Sequence, residues 1–218
     1  MEKLISLFGL VLMCVLAWAI SVDRKRMNVR LIITGVLLQL VFGIIVLKTG
    51  PGRWFFDQAR IAIEAVISFS EQGSEMLFGK NFRDHFFAFS VLPTIIFFSS
   101  LMSIFFYLGV IQKVVNVMAK IMVKVMDVSG SESLSNAVNV FVGQTEAPLV
   151  IKPYIESMTK SELHAIMLGG MANTAGGVMA AYASFGADAG HMLACSVMSA
   201  PASLVIAKII VPETEKSK

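Results

Sequence analysis

Apolar residues fall in long blocks separated by short polar links. Residues 4–22 and 31–47 are nearly unbroken aliphatic and aromatic runs. A helix that crosses the hydrocarbon core of a bilayer needs about 20 such residues, so each run predicts a span. Residues 86–110 predict a third, with Pro93 as a point of bending. A Gly/Ala-rich segment, 163–185, predicts a fourth, and 191–211, which contains Pro201, the last. Two further segments are periodic. Between 54 and 79, Asp57, Arg60, Glu64, Ser68 and Glu71 recur at helical spacing, while Phe56, Ile61, Ile63, Val66, Ile67 and Phe69 fill the other sides. This predicts an amphipathic helix along the outer interface. Lys113, Lys120 and Lys124 share one face of a second amphipathic helix, opposite Val114, Val117, Met118, Ile121, Met122 and Val125. Its expected place is the anionic cytoplasmic leaflet.

Composition supports a bilayer as the solvent. The 218 residues are 56% hydrophobic and 15% charged, against roughly 25% charged in an average soluble domain. So few charges do not cover a soluble surface. Arg24, Lys25, Arg26 and Arg30 lie between the first two apolar runs, and the positive-inside rule puts that link in the cytoplasm and the N-terminus outside. The basic cluster follows the first run instead of preceding it, which reads as a retained span and not a cleaved signal. The net charge of +3 comes with no basic face interleaved with aromatics, so nucleic acid is not an expected partner. Cys14 and Cys195 lie inside apolar runs and read as buried thiols. His85, His164 and His191 do not have metal-ligand spacing. No Ser/His/Asp array, phosphate loop or zinc pattern points to an enzyme.

Two helix starts are marked by capping-box spacing, Ser129–Glu132 and Thr159–Glu162. The segment between them has the length of a span and the wrong middle. Gly143, Gln144, Thr145, Glu146 and Pro148 fall together. Glycine permits a tight turn, and proline removes a donor and disfavours helix before it. A carboxylate at mid-membrane costs about 2.5–3.5 kcal/mol on an insertion scale. The flanks, 132–142 and 148–154, are each too short to cross. Two half-length helices joined by a polar tip predict a re-entrant hairpin, of the kind transporters use to hold substrate and ions near the midplane. The competing reading is a kinked helix whose Glu146 pairs with a buried lysine or snorkels. No lysine or arginine is expected in a neighbouring apolar core to serve it.

The stretch Val142-Gly143-Gln144-Thr145-Glu146-Ala147-Pro148-Leu149 resembles the signature of the concentrative nucleoside transporter family. The likeness extends through Asn139-Val140-Phe141, Ile151-Lys152-Pro153-Tyr154, Gly169-Gly170-Met171-Ala172, Met198-Ser199-Ala200-Pro201 and the upstream Val91-Leu92-Pro93-Thr94. It covers essentially the whole chain but the front half of a typical member; the family's second hairpin has no counterpart in these residues. The resemblance implies that Gln144, Thr145 and Glu146 hydrogen-bond a nucleobase. It implies that Asn139 and the Val142 carbonyl help hold a sodium ion, together with groups around Asn173 and Thr174, where the family often has serine at the Asn173 position. It also implies a homotrimer.

The expected fold is therefore all-α and membrane-embedded, with about five transmembrane helices, one re-entrant helical hairpin and interfacial helices on both sides. Residues 1–128 are scaffold-like and 129–218 transport-domain-like. The expected function is sodium-coupled nucleoside import across the cell membrane, without an organic cofactor. Proton coupling through Glu146, a second chain supplying the missing half, and a non-transporting subunit or truncated half-gene product stand as alternatives.

Overall fold

The structure is a computed structural model and describes residues 2–215. Every element among the described residues is helical. Among the described residues, three helices are long and apolar enough to cross a membrane: 29–46 within α2 (Val29–Lys48), Phe87–Tyr107, and α10 (Ala189–Ile210). The first helix, α1 (Glu2–Ala19), is apolar over Ile5–Ala19 and is shorter than these. Large apolar side chains such as Phe8, Met13, Ile33, Leu37, Ile44 and Ile96 are exposed along α1, α2 and the Phe87–Tyr107 helix. Exposure on that scale suits a lipid solvent and not water.

The first two helices are joined by the basic link. There Arg24 lies 5.4 Å over the Trp18 ring, and Asn28 caps α2 by accepting from the Leu31 N–H. Thr49 then caps α3 (Gly50–Phe78), a 29-residue amphipathic helix. Its charged face carries an Arg60–Glu64 pair at 2.9 Å, and Glu71 reaches Arg83 in the following 3-10 turn at 2.8 Å. The predicted periodic helix thus forms, with a longer N-terminal end.

The third apolar run contains a local departure from α geometry. Residues Phe87–Val91 form a π-helical turn, and α4 (Leu92–Tyr107) starts with Pro93 in its first turn. A widened turn before proline accommodates the missing donor. Gly109, at φ 78, reverses the chain into α5 (Val110–Met126), and a left-handed Asp127 ends that helix. The buried face of α5 is Ile111, Val115, Ala119, Met122 and Met126. This corrects the simple two-sided pattern. Val114, Val117 and Val125 stay exposed between that face and the lysine stripe, while Met122 turns into the protein.

The helix α10 is the axis of the assembly: 56% of it is buried, against 22% for each of the other two candidate spans. It packs on α2, α3 and α1 and on the elements that build the tip described below. The main core joins Leu31, Met122, Met126, Val140, Ala165, Ala200 and Leu204.

The Gly/Ala-rich segment is not one span. It divides into α8 (Lys160–Ala172) and α9 (Gly176–Ser184), with extended backbone at Asn173. A glycine-rich apolar stretch has the composition of a span and lacks the propensity to enforce continuous helix, so the neighbouring hairpin decides where it opens.

Candidate ligand site at the helix breaks

The hairpin starts from a complete capping box. The Ser129 hydroxyl accepts from the Glu132 N–H while Glu132 Oε1 accepts from the Ser129 N–H at 2.8 Å, opening α6 (Gly130–Val138). Asn139 closes α6. The Val138 carbonyl then takes two donors, the N–H groups of Phe141 and Val142, each at 3.0 Å. At the tip the Gly143 carbonyl accepts from Glu146 and Ala147, also at 3.0 Å each. The return limb is α7 (Ala147–Val150), followed by a 3-10 helix, Lys152–Ser157. It is less helical than the predicted second flank. Pro153 has no N–H to give the Leu149 carbonyl, so an α-helix stops there.

The tip rests on the break between α8 and α9. The Gly176 N–H donates to the Phe141 carbonyl at 3.3 Å. A Cβ on Gly170 would lie 3.1 Å from the Gln144 Cβ, and one on Gly176 would lie 2.7 Å from the Phe98 ring. Glycines at these places let the two breaks meet, which is close packing of the kind small residues permit in lipid.

The predicted site residues fall into three environments. Asn139 is buried, 2% exposed, and neither atom of its side-chain amide has a hydrogen-bond partner among the described residues. A buried amide left unpaired costs about 1–3 kcal/mol. Gln144, Thr145 and Glu146 are all exposed at the tip. Of these, Glu146 lines a cavity of about 580 Å³ between the tip, the start of α9 and α4, whose other walls include Ser99, Ser103, Phe106, Val142 and Gly143. Asn173 is engaged: its amide donates to the Gly169 carbonyl at 3.1 Å, and its oxygen accepts from the Ser199 hydroxyl. Thr174 sits partly buried in the break. The structure thus brings the tip against the 173–175 break, with Glu146 alone of the polar triplet facing the cavity.

Two polar ties were not legible from spacing. Asn136, fully buried, donates to the Glu132 carbonyl at 2.8 Å and to the Ala165 carbonyl at 3.4 Å, and accepts from Ser203 at 2.8 Å. Lys208, buried in α10, pairs with Glu132 at 2.8 Å. The reading that no cation lies in a neighbouring core is thereby corrected, although Lys208 serves Glu132 and not Glu146. Their periodicity is that of ordinary capping and lipid-end residues, so only packing reveals them.

Residues 8–81 match the family model described as Na+ dependent nucleoside transporter N-terminus, and residues 88–189 match the one described as Nucleoside recognition. The chain belongs to the concentrative nucleoside transporter family. It is 45% identical over 217 residues to Solute carrier family 28 member 3 of Eptatretus stoutii and 44% identical over 221 residues to Sodium/nucleoside cotransporter 1 of Rattus norvegicus. All of this chain is covered in both cases, with 32% and 34% of those relatives. Among solved structures, that of CNTnw in an inward-facing substrate-bound state matches at 41% identity and TM-score 0.93, over 100% of this chain and 55% of the other. A substituted CNTnw in an outward-facing state matches with the same score. The chain thus spans about a third of the curated relatives and about half of the solved chains. Within the family, these two matches score the same for opposite transport states, so the likeness reports the fold of this portion.

Proposed function

We propose that this chain carries the first-hairpin part of a sodium-coupled nucleoside importer of the cell membrane, with its N-terminus outside. In this reading α6, the tip and the return limb form a re-entrant hairpin. Residues 129–218 belong to the moving, ligand-bearing part and 1–128 to the scaffold. The observation that carries it is Asn139: a buried, unpartnered amide at the C-terminal end of a half-length helix. Such an end concentrates carbonyl oxygens and partial negative charge, which favours a cation. Asn139 Oδ1 and the Val142 carbonyl would face the sodium ion, and the extended backbone at 173–175 would supply further oxygens. The Asn173 oxygen already accepts from Ser199, so it would contribute as an oriented second acceptor.

Gln144, Thr145 and Glu146 then offer an amide, a hydroxyl and a carboxylate to a base edge, a donor and acceptor set that suits a nucleobase better than a lone ion. Sodium at Asn139 would stiffen the turn that follows it and so tighten nucleoside binding, and the coupling must be reciprocal. A homotrimer belongs to the same reading; a second chain completing the site is the alternative, marked by a purified chain that binds no uridine alone.

The test is binding and uptake of labelled uridine by the purified chain in lipid, with and without sodium. Sodium-dependent binding is expected, with the sodium response lost in Asn139→Ala and the nucleoside response lost in Glu146→Gln. Binding that ignores sodium, or that survives Glu146→Gln unchanged, overturns the reading.

A further inference from the structure

Lys208 lies in the last turn of α10 and is 4% exposed. Its ammonium donates to Ser161 Oγ at 3.0 Å and to Glu213 Oε2 at 3.0 Å, and it forms an ion pair with Glu132 Oε2 at 2.8 Å. Those partners come from the first turn of α8, the segment after α10 and the first turn of α6. Each is tied again. Glu132 closes the α6 capping box, Ser161 donates to the Val211 carbonyl at 2.6 Å, and Glu213 accepts from Thr159 at 2.9 Å. One ammonium is thus the junction of two helix starts and one helix end.

A buried ion pair is a weak source of stability, because desolvation offsets most of the attraction; its best-attested use is to fix a register. The register at stake is that of α6. Glu132, Asn136 and Asn139 stand at helical spacing on one face of it, and all three are buried. The first is held by Lys208, the second by Ser203 and Ala165, and the third is the unpartnered amide at the tip. A nine-residue helix is a rod of about 13 Å, so the height and rotation set at one end are delivered to the other.

We propose that Lys208 is a positioning residue for the signature tip: it sets the height and rotation of α6, and through that rod the placement of Asn139 and of the Gln144–Glu146 turn. It touches no ligand. The proposal rests on the tip being the ligand-binding part.

The experiment compares the parent chain, Lys208→Met and the double variant Glu132→Gln/Lys208→Met in lipid nanodiscs. Two readouts are taken: hydrogen exchange resolved by segment, and sodium-dependent binding of labelled uridine. Lys208→Met leaves the Glu132 carboxylate buried and alone. Exchange over residues 139–147 should rise about tenfold or more while α2 is unchanged, and uridine affinity should fall by a similar factor. The double variant removes the stranded charge but does not restore the junction, so tip exchange and uridine affinity should stay displaced from the parent by about tenfold while exchange elsewhere matches the parent. Unchanged exchange at the tip in Lys208→Met overturns the proposal. So does faster exchange throughout the chain, which marks a purely structural lysine, or a return of both readouts to the parent's level in the double variant, which marks a stranded carboxylate and not a positioning lysine. If the parent itself binds no uridine while tip exchange responds as stated, the transport reading fails and the positioning role stands.

Discussion

Placing a methyl group on Gly169 tests the buried ties that hold the hairpin. A Cβ built there lands on the Asn136 amide, with the Asn136 Cγ 2.7 Å away and Nδ2 3.1 Å away. That amide cannot swing aside cheaply. It is fully buried and is pinned by the Glu132 carbonyl on one side and the Ser203 hydroxyl on the other, both at 2.8 Å. Overpacking alone costs about 1–3 kcal/mol. Losing one of the two good hydrogen bonds adds about 1 kcal/mol. Against this, alanine is a better helix former than glycine by about 1 kcal/mol. Gly169→Ala should therefore destabilise the chain by about 1–3 kcal/mol. In an Asn136→Ala background the obstacle is gone and only the propensity gain remains, so the same change should stabilise by up to about 1 kcal/mol. The sign reversal implies a coupling energy of about 2 kcal/mol or more. Reversible unfolding of the four proteins in bicelles, analysed as a double-mutant cycle, reads this directly. A Gly169→Ala effect of the same sign and size in both backgrounds would refute the contact, and with it the picture of Asn136 as the bolt between α6, α8 and α10.

Two other perturbations follow from the geometry. Gly176→Ala sets a Cβ 2.9 Å from the Phe141 carbonyl, which is backbone and cannot rotate away; the Gly176 N–H bond to that carbonyl should open. Amide exchange at residue 176 at least about tenfold faster is the expected result, and unchanged protection would contradict it. Asp188 caps α10 by accepting from the His191 N–H at 2.7 Å, and that bond holds its carboxyl below the usual aspartate range. A depressed folded-state value means the contribution is present above the unfolded value, near 4, and is lost as pH falls through the folded one. Asp188→Ala should cost about 1 kcal/mol at neutral pH, and the loss should shrink towards zero in acid; a difference independent of pH would remove the carboxylate from the account.

Much of the architecture was legible because lipid imposes a simple rule on sequence. Runs of about 20 apolar residues announce spans, and two of the runs, 31–47 and 191–211, reappear within a few residues as α2 and α10. The capping boxes at Ser129 and Thr159 were equally readable, since both partners of each box lie within four residues. The tip was conspicuous for the opposite reason: glycine, carboxylate and proline together violate the rule for a span.

What spacing did not show is contact between distant segments. Residues 163–185 have the composition of one helix, and they open at 173–175 where the Phe141 carbonyl meets Gly176. The lysines of α5 were visible as a stripe, but which apolar residues face protein and which stay exposed depended on where α2 and α6 lie. Lys208 and Glu132 are 76 positions apart and pair only because α10 runs beside the base of α6.

The sequence by itself determined the solvent, the helical class, the span-forming runs and the position of the polar tip, because each of these is a property of consecutive residues. Tertiary structure decided which polar groups are paired. It used up Asn136, Lys208 and the Asn173 oxygen in holding helices together, and it left the Asn139 amide buried and unpartnered among the described residues. Hydrogen-bond partners separated by tens of residues are set by packing, and no local pattern encodes which of several similar side chains packing will leave free.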